Sequence, residues 1–124
     1  MAAAIVGVDF AFFRNGAPSG ATAARQDMVV HKFGRTSFYT AGRVTMVNTD
    51  TSVDYDQGTV VFKNQIVIVG LNNSTFSQPG DSGSLILERD SKMAIGLLFA
   101  GSPSHTLANH IEDVLRALNV TLVT

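Results

Sequence analysis

Six short runs of apolar and β-branched residues, at 28–33, 42–48, 59–63, 65–69, 84–87 and 94–100, occupy much of the chain beyond residue 27. Polar turn formers separate them at Gly34, Asn48 to Asp50, Asn72-Asn73, Gly80 to Gly83 and Gly101 to Ser104. A strand alone leaves its backbone groups unpaired, and close spacing with polar turns brings each run back against its neighbour. The pattern predicts an antiparallel barrel or sandwich. With 124 residues there is room for one core and not for two barrels of ordinary size. The residues are 45% hydrophobic and only 15% charged, which implies either a rich core or apolar surface that another chain covers.

Upstream, Val6, Val8, Phe10 and Phe12 alternate with Gly7, Asp9, Ala11 and Phe13, the period of an extended segment with one buried face. Residues 15–20 read as a loop by composition. Residues 1–27 are therefore read as an extended segment and loop, and 28–124 as the folded domain. One helix is expected near the C-terminus. Asn109 is its expected cap, Glu112 follows at capping-box spacing, and Ile111, Val114, Leu115 and Leu118 form one apolar stripe. Asn119 is suited to end it, and 120–124 read as extended.

Several functional classes lose support at this level. Net charge is −1 and Lys and Arg are scattered, so no electrostatic footprint for nucleic acid exists. Cysteine is absent, which excludes disulfides and thiolate metal sites and fits a reducing, cytoplasmic compartment. The opening residues lack a basic flank and no run approaches the roughly 20 apolar residues of a membrane span, so neither a signal peptide nor a membrane partner is expected. His31, His105 and His110 have no metal-ligating spacing, and Asp50, Asp54 and Asp56 lack the glycine and glutamate of a calcium loop. No metal or cofactor is expected, and the aspartates read as solvated hairpin residues.

The segment Gln78-Pro79-Gly80-Asp81-Ser82-Gly83-Ser84 carries the chemistry. Acyl transfer by serine needs a hydroxyl on a tight turn with backbone N–H groups aimed where the oxyanion develops. Glycines permit the dihedral angles of such a nest, and a buried carboxylate holds its shape. By composition alone the segment is equally an ordinary polar turn.

Its context separates those alternatives. Gly80-Asp81-Ser82-Gly83 resembles the nucleophile loop of the trypsin and chymotrypsin family. Gly96-Leu97-Leu98-Phe99-Ala100-Gly101 resembles the strand beside that family's primary specificity pocket. Val30-His31-Lys32-Phe33-Gly34-Arg35-Thr36-Ser37 and Gly42 are similar to the corresponding stretch of the bacterial, α-lytic protease type, and the terminal helix also fits. The resemblance covers residues 28–124, the second barrel of such enzymes. It departs at Ser84, where the family usually has glycine, and at Pro79.

The resemblance implies a six-stranded antiparallel barrel of the chymotrypsin type with a C-terminal helix. It further implies Ser82 as the nucleophile, the N–H groups of Gly80 and Ser82 as the oxyanion hole, and a buried Asp81–Arg35 pair shaping the loop. The implied substrate pocket comprises Phe76, Phe99, Ala100 and Gly101, with Phe76 at its base disfavouring Lys or Arg. The family's catalytic histidine and aspartate belong to a first barrel, which residues 28–124 do not include. Of the histidines only His31 precedes Ser82, in a strand. His105 is expected to be an exposed loop residue, although it could line a pocket, and His110 to face solvent. Two readings remain open. One is the nucleophile-bearing half of a serine endopeptidase, inactive alone, which acts on peptide or protein substrate with a first barrel in cis or trans. The other is a non-catalytic binding or assembly module derived from a peptidase. The apolar segment 5–13 suggests a homodimer, through pairing with a neighbour's sheet edge.

Overall fold

The computed structural model describes residues 18–102 and 104–119; the expectations placed on 1–17 and 120–124 lie outside them. Seven strands form one sheet: β1 (Gly20–Ala21), β2 (Val29–Gly34), β3 (Phe38–Tyr55), β4 (Gly58–Gly70), β5 (Leu85–Glu88), β6 (Met93–Gly101) and β7 (Thr106–His110). A helix, α1 (Ile111–Leu118), follows β7. The sheet order is β1-β6-β5-β2-β3-β4-β7, and β7 pairs again with β6. Strands β2 to β7 therefore close on themselves as a ring of six, every pairing antiparallel. The two-residue β1 is added to β6 in parallel.

Alternation decides what faces inward. Val30, Val44, Ile66, Ile68, Ile86 and Ile95 are buried in one cluster that includes Phe76 and Leu98. Leu85, Leu87 and Ala94, on the opposite faces of the same strands, form a second cluster with Ile111 of α1, against which Leu97 and Leu115 pack. The apolar stripe of the helix thus covers one outer side of the ring. Each buried aliphatic side chain contributes about 1.5–3 kcal/mol of transfer free energy.

The runs 59–63 and 65–69 are a single strand, β4. Asn64 lies between them with φ 60°, and its N–H donates to Asp50 Oδ1 at 3.0 Å. The polar break is therefore a local irregularity, served by one of the aspartates in the acidic group, and it lets one long hairpin bend. Register shifts at Val44/Met46, Met46/Thr49 and Thr49/Thr51 have the same effect. Strand β7 was not legible as a strand. Its five residues contain only two aliphatics, and pairing on both sides, with β4 and β6, makes up for the weak propensity. In consequence Asn109 is a strand residue, paired with Leu97, and His110 is the N-cap of α1. The His110 side chain does not cap the helix. It is half-buried and its Nε2–H donates to the Val47 carbonyl at 2.7 Å. At the other end Asn119 adopts the left-handed conformation and closes the helix.

Candidate active site

The loop between β4 and β5 carries Ser82, and its shape follows from one buried carboxylate. Asp81 is fully buried. Oδ1 accepts the N–H groups of Thr36 at 2.8 Å and Ser37 at 3.0 Å, while Oδ2 accepts the Gln78 N–H at 2.9 Å and the Ser37 hydroxyl. Burial alone pushes this carboxyl upward. The hydrogen bonds from Ser37, Gln78 and Thr36 more than offset burial and hold it below the usual carboxylate range.

The cation beside Asp81 is Lys32, not Arg35. Lys32 Nζ lies 3.5 Å from Oδ2, with both side chains fully buried. It also donates to Ser37 Oγ at 2.6 Å and to the Phe38 carbonyl at 3.1 Å, and sits 5.6 Å from the centre of the Phe76 ring. Arg35 is exposed in the β2–β3 turn. Strand geometry explains the difference. Lys32 shares with Val30 the face of β2 that points into the ring, whereas Arg35 lies past the strand's end. Burial lowers the Lys32 pKa, and Asp81 opposes that shift. The signal available in the sequence was this parity, with Lys32 two residues from the core position Val30.

Backbone hydrogen bonds complete the loop. Asp81 N–H donates to Gln78 O at 3.0 Å, and Gly83 N–H to Leu98 O at 2.8 Å. Ser84, in the position where glycine was expected, is buried and closes the turn, its hydroxyl donating to the Asp81 carbonyl at 2.6 Å. The N–H groups of Gly80 and Ser82 have no protein acceptor among the described residues. Gly80 has φ +100°, and a Cβ there would lie 2.2 Å from Thr36 Oγ1. The conformation that leaves its N–H free thus requires glycine.

Ser82 is exposed, and its hydroxyl donates to the Phe99 carbonyl at 2.6 Å. No histidine reaches it. His31 is buried in β2 with Nδ1 3.3 Å from the Tyr39 hydroxyl, His105 is exposed with Nδ1 2.9 Å from Ser104 Oγ, and His110 is engaged by Val47.

Beside Ser82 opens a cleft of about 560 Å³. Gly80, Ser82, Ala100 and Gly101 border it, while Phe76 and Phe99 do not. Phe76 turns into the core, beneath Gly42, where a Cβ would come within 2.7 Å of its ring. Its neighbours Thr75 and Ser77 line the cleft in its place. The Phe99 ring packs on Phe62 at 4.5 Å between centroids, so only its carbonyl serves the site. In each case the alternation of an extended chain turns the large side chain away from the cleft and leaves a neighbour or the backbone facing it.

This arrangement has relatives. The family described as the Nal1 C-terminal domain matches residues 20–113. Among solved structures, Cellulomonas bogoriensis chymotrypsin is similar at 28% identity and TM-score 0.67, over 85% of this chain and 54% of that one. A glutamic-acid-specific serine protease described as using a histidine triad in substrate binding has 26% identity and TM-score 0.64, over 86% and 54%. Nocardiopsis protease has 25% identity and TM-score 0.67, over the same shares. The chain spans about half the length of each of these structures. No curated protein sequence matches it.

Proposed function

The chain belongs to the Nal1 C-terminal domain family and shares the fold of chymotrypsin-like bacterial serine proteases, and from that premise we propose that it is the nucleophile-bearing half of a serine endopeptidase. The observation that carries this reading is the placing of an exposed Ser82 hydroxyl at a cleft, next to two unengaged N–H groups on a turn locked by Asp81. In the proposed reaction the Ser82 oxygen bonds to the carbonyl carbon of the substrate, and the developing oxyanion takes hydrogen bonds from Gly80 and Ser82. The hydroxyl proton goes to a base and from it to the departing amine. Water then releases the acyl group.

That base is not among the described residues near Ser82, and a serine lacking its base retains only weak catalysis. A first barrel, in the same protein or as a separate chain, is proposed to supply the histidine and aspartate and to complete the cleft. The second reading, a binding or assembly module, is favoured by one contact: the Ser82 hydroxyl is committed to the Phe99 carbonyl.

Labelling with a fluorophosphonate probe tests the first reading. The chain alone is expected to remain unlabelled and to hydrolyse neither casein nor small esters. Addition of a histidine-bearing first barrel should produce labelling that Ser82→Ala abolishes. Strong labelling of the chain alone would reveal a base within it. Failure to label with the first barrel bound would favour the binding module.

A further inference from the structure

The cleft beside Ser82 has an unusual chemical lining, and we infer that it selects a substrate side chain ending in an uncharged hydrogen-bonding group, a primary amide before all others. The inference rests on the proposed peptidase site and names its substrate class.

Among the described residues, no charged side chain and no histidine lines the cleft. An entering ammonium or guanidinium would meet no carboxylate, and an entering carboxylate would meet no cation. Either ion would lose its water without a counter-charge, and such a loss is normally avoided by exclusion or neutralisation. Leu98 and Ala100 supply apolar wall, suited to the methylene part of a side chain.

The inner wall is different. Ser77 is buried and lines the cleft, and its Oγ lies 2.5 Å from Oγ1 of Thr106, also buried. Two hydroxyls carry two protons, and the bond between them uses one. Neither oxygen has another protein partner among the described residues. One donor and several lone pairs therefore remain unused in a buried place, where polar groups are ordinarily satisfied. If Thr106 donates to Ser77, the Ser77 proton points toward the cleft. An amide oxygen there accepts that proton, and the amide N–H₂ offers a donor to the free lone pair. An aliphatic side chain of equal length would leave the hydroxyl unpaired. Gly101 permits the arrangement, since a Cβ on it would come within 2.9 Å of Ser77 Oγ.

Product-like acetylated tetrapeptides Ala-Ala-Ala-X with a free C-terminus, where X is Gln, Leu, Lys or Glu, provide the probe. Titration of the full chain would be followed through the backbone amide resonances of Ser77, Gly80 and Ser82. The Gln peptide should bind about three- to tenfold more tightly than the Leu peptide, the value of one net neutral hydrogen bond. Lys and Glu peptides should bind more weakly than both. Ser77→Ala should bring the Gln peptide to the affinity of the Leu peptide. Lys or Glu binding as tightly as Gln, or equal affinities for Gln and Leu in the unaltered chain, would overturn the inference while leaving a peptide-binding cleft. If no peptide shifts these resonances, the inference falls, while the peptidase reading stands or falls separately on probe labelling with the first barrel bound. The ranking in the unaltered chain decides the matter even if the Ser77 variant does not fold.

Discussion

Lys32 Nζ and Asp81 Oδ2 lie 3.5 Å apart with both side chains removed from solvent, and the Ser37 hydroxyl accepts from the first and donates to the second. The ion pair thus ties β2 and the turn after it to the residue preceding Ser82. Removing one member of a buried pair strands the other charge, which costs about 3–5 kcal/mol. Lys32→Met is expected to lose stability of that order in denaturant unfolding. Arg35→Ala, at an exposed position, should change it by less than about 0.5 kcal/mol. Equal losses in the two variants would contradict the assignment of Lys32.

Gly80 faces a separate constraint, part steric and part conformational. Gly80→Ala would place a methyl 2.2 Å from Thr36 Oγ1 on a backbone with φ +100°. A destabilisation of about 2 kcal/mol or more is expected, since the strained dihedral alone costs about 1–3 kcal/mol. Combining it with Thr36→Ala should recover part of the loss, the clash, and leave the dihedral part. A double variant no better than the single one would show that the clash contributes nothing.

His31 should make stability pH-dependent. Burial is the larger cause lowering its pKa, and the positive charges of Lys92 and Arg89 add to it. Its Nε2 has no hydrogen-bond partner among the described residues. The folded state therefore resists protonation while the unfolded chain binds a proton near pH 6.5. Between the lowered folded value and about 6.5 the unfolded state holds more protons, so stability falls as pH falls through that window. Urea midpoints measured from pH 7.5 to 5 should decline, and His31→Phe should flatten the decline. A profile unchanged by the substitution would remove His31 from the explanation.

Self-association is expected from apolar surface on the long hairpin. Met46, Val60 and Val61 are each 44–55% exposed there, Val60 and Val61 on the part of β4 beyond the residues that pair with β7. Light scattering at micromolar concentration should report a dimer, and a Met46→Lys, Val61→Lys variant should shift it toward monomer. A monomer in the unaltered chain would reassign this surface to a different partner or to none.

Much of the fold and part of the site were legible from sequence. Short apolar runs separated by Gly, Asn, Asp and Ser specify antiparallel strands, because the residue types that fit a pleated surface and those that permit turns act locally. The loop Gly80 to Gly83 was readable for the same reason: its dihedrals and its hydroxyl belong to consecutive residues. The apolar stripe of α1 is also a local property. What remained was decided between segments far apart in the chain. Strand β7 exists because β4 and β6 flank it, so its weak propensity was no guide. Lys32 was assigned over Arg35 by the inward face of β2, and Phe76 was drawn into the core by the space beneath Gly42. The Ser77–Thr106 contact joins residues 29 apart. Local chemistry determines which residues can form a strand, a turn or a tight Gly-Asp-Ser-Gly loop. Which charge is paired, which ring is buried and which hydroxyl faces the cleft are set by packing between strands, and tertiary structure alone decides them.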